Sequence, residues 1–418
     1  MEKEEAQVSY ILDDSVRFCV RSVKIDLWLK YRDSQSEIKQ HAVIVLKNYK
    51  NNREIIHPIT QFIFEKWKFR KYNTQKKHAD NLVKFLNWIL VIKKRVYKIY
   101  SLRDITTLHG SAFLNELTRQ QKTRGTVQSA ERTLTEFYYY LAKKGYSNEL
   151  TKSDFMKKSI PQASNKNYIV SPFKGVIKPV YSQSNIAHMI PEKYILPFLE
   201  IVVQMANPIA LGVYMQVFGG VRQGELVNIQ RRDITPIGVF GEDGLIIKLR
   251  NKTLREDIKD SNGSSSVKKE RNQVVFPISD WLKTLYFNHL NNYHVRDESD
   301  ALFVNRDGKA MSGRSYRYFF NKAKSNFLDV LKQSKNPGEQ IDALKLREYK
   351  WSTHIGRGIF TNLLAEEAQN PYDIALPRGD SNLASSMVYQ GNTLRMKENL
   401  EKRMDDLYKE YMPRLLKE

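Results

Sequence analysis

The sequence predicts a mainly α-helical protein with a small β-sheet, built as a helical module and a larger C-terminal domain joined by a basic linker. Three observations predict it. Apolar residues recur at helical spacing over long stretches from about Asn73 onward. Only one island in the C-terminal half, "GLIIKLRNK" and "RNQVVFPIS", reads as strands. Between the two patterned regions lies a stretch rich in Lys, Pro and Ser that follows no period. At 418 residues, with 41% apolar side chains, the chain is long enough for two or three domains with cores of their own.

Residues 1–65 hold short apolar runs, "VRFCVRSVKIDLWLKY" and "HAVIVLKNY", broken by charges, and are expected to form a few strands or a small mixed module. Residues 66–150 are expected to form the helical module. There "NTQKKHADNLVKFLNWIL" puts Leu82, Phe85, Leu86 and Ile89 on one face. "SLRDITTLHGSAFLNELTRQ" opens with Ser101 as an N-cap, and "TVQSAERTLTEFYYYLAKKGY" ends at Gly145. Residues 151–185 read as the linker, and residues 186–418 as the larger domain. Its apolar run "YILPFLEIVVQMANPIALGVYMQVFGGV" is interrupted by Glu200, Gln204, Asn207, Pro208 and Gln216. It therefore reads as two core helices joined near Pro208, not as a membrane span. The strand island is split by a polar insert, and a charged helical tail closes the chain.

Charge narrows the partners. Lys and Arg number 68 against 46 acidic residues, a net +22 spread along the whole length. A folded chain this basic calls for a polyanion, and nucleic acid is the first candidate. Two basic domains on a cationic linker could close as a clamp around double-stranded DNA. The single cysteine, Cys19, excludes a disulfide framework and a Cys-based zinc site. The start, "MEKEEAQ", is polar and unlike a signal peptide. The expectation is a cytoplasmic protein, nucleoid-associated if bacterial, with no membrane partner. That compartment removes a cell-adhesion reading of Arg378-Gly379-Asp380.

The common catalytic signatures are missing: no P-loop, no HExxH, no GxSxG and no acidic cluster for Mg²⁺. "FGGVRQG" lacks the glycine spacing of a dinucleotide fold. An enzyme on nucleic acid would then need neither ATP nor metal, and no cofactor is expected. One solution is a side-chain nucleophile that stores the energy of the broken phosphodiester in a covalent bond. Such a site needs two guanidinium groups for the charge that builds on phosphorus. It also needs a nucleophile that loses its proton, and a leaving 5′-oxygen that gains one.

Residues of those types stand in order along the chain. In "VFGGVRQGELVNIQRRDI", Arg222 follows a Gly-Gly break at a helix start, with Glu225 at i+3 placed to brace it. In "WSTHIGRGIFTNLLAEEA", His354 and Arg357 share a face. His354 has no second ligand at i+3 or i+4, so a zinc site is not expected. Tyr389 lies 32 residues after Arg357.

These three boxes, in this order, resemble those of the tyrosine recombinases, or phage integrases. "GGVRQGELVNIQRRDI" is similar to the family's arginine box, "STHIGRGIFTNLLAEE" to its His-x-x-Arg box, and "RGDSNLASSMVYQGNT" to its tyrosine box. The helical module resembles the family's core-binding domain, so the resemblance covers roughly residues 70–418. It implies a core-binding domain and a catalytic domain around DNA at specific recombination sites. Arg222 and Arg357 would clamp the scissile phosphate, His354 would assist proton transfer, and Tyr389 would attack to leave a 3′-phosphotyrosine. A hairpin lysine would protonate the 5′-oxygen. Lys252 fits best, with Lys268 and Lys269 as alternatives. Asp380 departs from the pattern, standing where the family has His or Trp.

The implied function is a site-specific recombinase of a mobile element, serving integration, excision or transposition. It would work as a homotetramer, with accessory DNA-bending proteins as further partners. The tail, with Leu394, Leu400, Met404, Leu407 and Tyr411 on one face, would dock on a neighbouring protomer or pack on its own domain. Residues 1–65 could bind arm-type DNA sites. Two rivals share these residues: a transesterase without exchange (a topoisomerase or telomere resolvase), and a DNA-binding protein with a decayed site.

Overall fold

The computed structural model describes residues 15–27, 37–160, 163–180, 190–239 and 241–367, apart from 253, 256, 259, 261–263 and 268; beyond these it describes Asp373 and Pro377. The chain divides into two compact units, Met1–Gln183 and Ser184–Glu418. Helices dominate both, with small antiparallel sheets beside them. No helix among the described residues is long and apolar enough to cross a membrane.

The first unit opens with a three-stranded antiparallel sheet in the order β1 (Val16–Leu27), β2 (Glu37–Asn48), β3 (Arg53–Ile56). Five helices follow: α1 (Thr60–Trp67), α2 (Tyr72–Asn87), α3 (Lys94–Tyr97), α4 (Thr107–Arg119) and α5 (Arg124–Lys144). A hairpin, β4 (Lys157–Ile160) and β5 (Ala163–Ile169), completes it. The face expected at Leu82, Phe85, Leu86 and Ile89 is fully buried. Thr123 caps α5, and Gly145 ends it at φ +68, where the Tyr146 N–H donates to the Leu141 carbonyl at 2.9 Å. Ser101 caps only a 3₁₀ turn, Leu102–Asp104, because the nearby Asp104 carboxylate closes that turn on the Ser101 N–H at 2.7 Å.

Two segments pack differently from the sequence expectation. The N-terminal strands do not form a module of their own. Phe18, Ala42 and Ile44 belong to the same core as the helices. Helix side chains satisfy the strand backbone: Asn87 exchanges bonds of 2.8 and 2.9 Å with Phe18, and the Thr60 hydroxyl two of 3.0 Å with Ile44. The segment read as the start of a linker also joins this core, through Phe155 and Phe173. The Phe173 ring fills the space beside Gly110, where an added Cβ would lie 2.2 Å from it. Asn115 and Thr118 then hold the chain at Gly175 and Ile177 with bonds of 2.7–3.0 Å.

In the second unit the apolar run forms α6 (Ile195–Met205) and α7 (Ala210–Gly219), joined by a 3₁₀ turn over Asn207–Ile209. All ten residues of α7 are buried, so it is the central rod of this unit. After it come α8 (Gln223–Leu226), the antiparallel sheet β6 (Ile234–Pro236), β7 (Leu245–Leu249), β8 (Arg271–Val275), and α9 (Trp281–Asn292). Helices α10 (Gly313–Gln333), α11 (Pro337–Glu348) and α12 (His354–Glu367) close the described part. Both expected strands are present, paired with Leu245 opposite Val275 and Leu249 opposite Arg271.

Phe173→Ala should destabilise the first unit by about 3–5 kcal/mol, since it empties a ring-sized space in a core that cannot collapse past Gly110. Urea unfolding followed by hydrogen exchange in α4 and α5 would measure this. An unchanged midpoint would show that the segment after α5 is not part of the core.

Candidate active site

Helix α7 ends on Gly219 and Gly220, and each glycine has its own reason. A Cβ on Gly219 would lie 2.7 Å from the Val275 side chain of β8. Gly220 takes φ +61 as the left-handed cap, and a Cβ there would meet the Phe360 ring at 2.4 Å. The chain thus turns tightly between a strand and α12, and Arg222 emerges as the first residue of the next turn.

Arg222 is held at once. Its N–H donates to Glu225 Oε2 at 2.8 Å and its Nη1 to Glu225 Oε1 at 3.0 Å. Glu225 is fully buried, and Arg271 grips the same carboxylate from β8 with two bonds of 2.7 and 3.0 Å. One carboxylate therefore stands between two guanidinium groups. Burial alone pushes the Glu225 carboxyl up, but hydrogen bonds and charge from Arg271, then the backbone and charge of Arg222, outweigh it and leave the group below its ordinary value.

The His-x-x-Arg segment arrives on α12, pressed against α7. A Cβ on Gly356 would lie 2.6 Å from the Cβ of Gln216. Arg357 is buried, and its Nη1 donates to the Gly220 carbonyl at 2.5 Å, two residues before Arg222. His354 sits exposed at the first turn of α12. A buried polar network sets this junction. Gln216 donates to the Thr353 carbonyl at 2.9 Å, and Thr353 donates to Gln223 at 3.0 Å. Tyr316 donates to Gln216 at 2.9 Å, and Gln223 to the Gly313 carbonyl at 2.5 Å.

Lys252 follows β7 and turns back onto the arginine box. Its N–H donates to Asn228 Oδ1 at 2.9 Å. Its Nζ donates to Asp233 at 2.6 and 2.9 Å and to Gln230 at 2.5 Å. Of the two alternatives, Lys269 is exposed beside β8 and Lys268 lies outside the described residues. Asp380 and Tyr389 also lie outside them.

The structure thus pairs Arg222 with Glu225, bonds Arg357 to the Gly220 carbonyl two residues before Arg222, and bonds Lys252 to Asn228, Gln230 and Asp233 further along the arginine box. Sequence reasoning missed Arg271, Gln230, Gln223 and Thr353, and marked Asp233 only as part of the close of the arginine box. Gln216 had signalled itself only as a polar interruption of an apolar helix. A buried glutamine in such a run was the available clue, since it must find partners inside.

No protein-family model matches the chain, and no curated protein matches it. Among solved structures the chain is similar to the Tn1549 transposon integrase in complex with circular intermediate DNA. That match has 12% identity, covers 79% of this chain and 94% of that one, and has a TM-score of 0.48. It is also similar to the lambda integrase bound to DNA, at 12% identity, 80% and 95% coverage and a TM-score of 0.47. The XerA recombinase is 13% identical over 85% of this chain and 98% of that one, with a TM-score of 0.33. All three are tyrosine recombinases.

Glu225→Gln should cost about 3–5 kcal/mol of stability near neutral pH, because Arg271 and Arg222 then share no counter-charge. The sign in pH follows from the lowered carboxyl. The stabilisation is complete above the ordinary carboxylate value and is lost as pH falls through the folded one. The parent should therefore lose stability to acid more steeply than the variant. Denaturant unfolding of both at several pH values tests this, and parallel pH curves would refute it.

Proposed function

We propose that the protein is a site-specific DNA recombinase that cuts and rejoins strands through Tyr389, in the service of a mobile element. The observation that supports the reading is the turn after α7, where Arg357 bonds to the Gly220 carbonyl two residues before Arg222 while Lys252 bonds to the far end of the same arginine box. Two guanidinium groups and an amine, once turned toward one phosphodiester, would cradle it as it approaches its transition state. The net charge of +22 supplies the attraction that brings DNA there.

In the proposed reaction the Tyr389 oxygen attacks phosphorus and the bond to the 5′-oxygen breaks. Arg222 and Arg357 stabilise the added charge on the non-bridging oxygens. His354, exposed at the start of α12, bonds the phosphate and assists the tyrosine proton on its way out. Lys252 gives a proton to the leaving 5′-oxygen, for which its Nζ must turn from Asp233 toward the DNA. The energy of the broken bond is kept in the phosphotyrosine, so strands rejoin without ATP when a 5′-hydroxyl attacks in return. Four protomers on two duplexes would complete the exchange. Asp380 would bring a carboxylate near the phosphate, and neighbouring Arg378 is the cation placed by sequence to offset it.

A suicide substrate made from the ends of the element should trap a protein–DNA adduct. Tyr389→Phe should abolish that adduct and change affinity little, since only the attacking oxygen is lost. An adduct that persists in the variant, or maps to Tyr408 or Tyr411, overturns the assignment. Joint molecules from two marked duplexes separate recombination from strand passage without exchange. DNA affinity should fall with salt at a log–log slope of about −0.9 per phosphate neutralised. A flat response in a filter-binding titration would assign the charge to another partner.

A further inference from the structure

Gln273 lies in the middle of β8 and is 1% exposed. An amide buried without partners costs about 1–3 kcal/mol, so a core strand keeps one only when both ends are bonded. Here they are. Oε1 accepts from Arg271 Nε at 2.9 Å, and Nε2 donates to the Pro377 carbonyl at 2.5 Å. The assignment of the two amide atoms is unambiguous, because the guanidinium can only donate and the carbonyl can only accept.

The partners extend this into a chain. Arg271 passes both Nη groups to Glu225, and Glu225 holds Arg222. An unbroken run of hydrogen bonds leads from Arg222 through Glu225, Arg271 and Gln273 to Pro377. Pro377 is buried and immediately precedes "RGDSNLASSMVY", the run that ends at Tyr389. Proline has no N–H, so its carbonyl is the one backbone group by which that point can be held.

We propose that Gln273 is a positioning residue for the nucleophile, fixing the start of the Tyr389 segment to the same carboxylate that aims Arg222. This rests on the reading that Tyr389 attacks the phosphate. Gln273 touches no reacting atom; it sets where the tyrosine-bearing chain begins relative to the arginine. Its bonds to Arg271 and to Pro377 are separable. Gln273→Glu keeps an acceptor for Arg271 but turns an oxygen toward the Pro377 carbonyl, whereas Gln273→Met fills similar volume with neither bond.

The test uses the full chain and two suicide substrates, one ordinary and one with a 5′-bridging sulfur at the scissile position. The sulfur leaves without needing a proton, so it rescues a lost proton donor but not a misplaced nucleophile. Both Gln273 variants should form the adduct about ten- to a hundredfold more slowly on either substrate. DNA affinity should stay within about threefold of the parent. Lys252→Ala, run beside them, should be slow on the ordinary substrate and rescued on the sulfur one. Hydrogen exchange over residues 378–389 should rise in Gln273→Glu without a matching rise in α7. If Gln273→Met fails to fold, Gln273→Glu carries the test alone. Parental cleavage by Gln273→Glu, rescue of it by sulfur, or unchanged exchange after Pro377 would each overturn the proposal. A parent that forms no adduct with any DNA end would instead refute the recombinase reading, and the exchange measurement would still decide whether Gln273 holds the segment.

Discussion

The second unit is organised around one buried carboxylate with a guanidinium on either side. Glu225 has no exposure to solvent and accepts four bonds, from the Arg222 backbone and side chain and from two nitrogens of Arg271. A charge so placed is tolerable only while both arginines stay. It therefore ties the turn after α7 to strand β8, and through β8 to the sheet. Arg222 cannot swing away without leaving the carboxylate half-paired, so the guanidinium is oriented before any substrate arrives. That is the form of preorganisation a phosphate-binding site requires.

The lysine is restrained in a different way. Lys252 is held by an ion pair to Asp233 and a bond to Gln230, both at the far end of the arginine box. Its backbone is anchored separately, on Asn228. The anchor fixes where the amine can reach, while the ion pair fixes only where it rests. The backbone bond keeps the side chain within reach of those partners. The arginine box therefore supplies the partners of the lysine as well as Arg222 itself.

What could be read from the sequence was what depends on near neighbours. The buried face of α2 followed from periodicity, and the Arg222–Glu225 pair from an i, i+3 spacing. The strands β7 and β8 announced themselves by their β-branched residues. Arg271 did not, because its pairing with Glu225 spans 46 positions and depends on how β8 sits against the turn after α7. Phe155 and Phe173 were hidden for a related reason. They have no period of their own, and the partner of Phe173 is the side chain that Gly110 lacks. The N-terminal strands looked independent because nothing local says that Asn87 and Thr60 will bond their backbones. The tyrosine box was legible as a motif, and its residues Asp380 and Tyr389 lie outside those the structure describes.

Three glycines, Gly219, Gly220 and Gly356, meet where α7, β8 and α12 converge, and each lies so close to its neighbour that a single added carbon would collide. The spacing here is thus a contact distance between bare main chain and the side chains of Val275, Phe360 and Gln216. Soft forces such as ion pairs relax when salt or temperature changes; hard-sphere contact does not. The placement of the Arg222 and Arg357 segments is in that sense mechanical, like a joint machined to a stop. The gauge of the junction is therefore set jointly by three residues that offer only backbone and by the Val275, Phe360 and Gln216 side chains that press on them, so a change of volume at any of these six positions would be felt there.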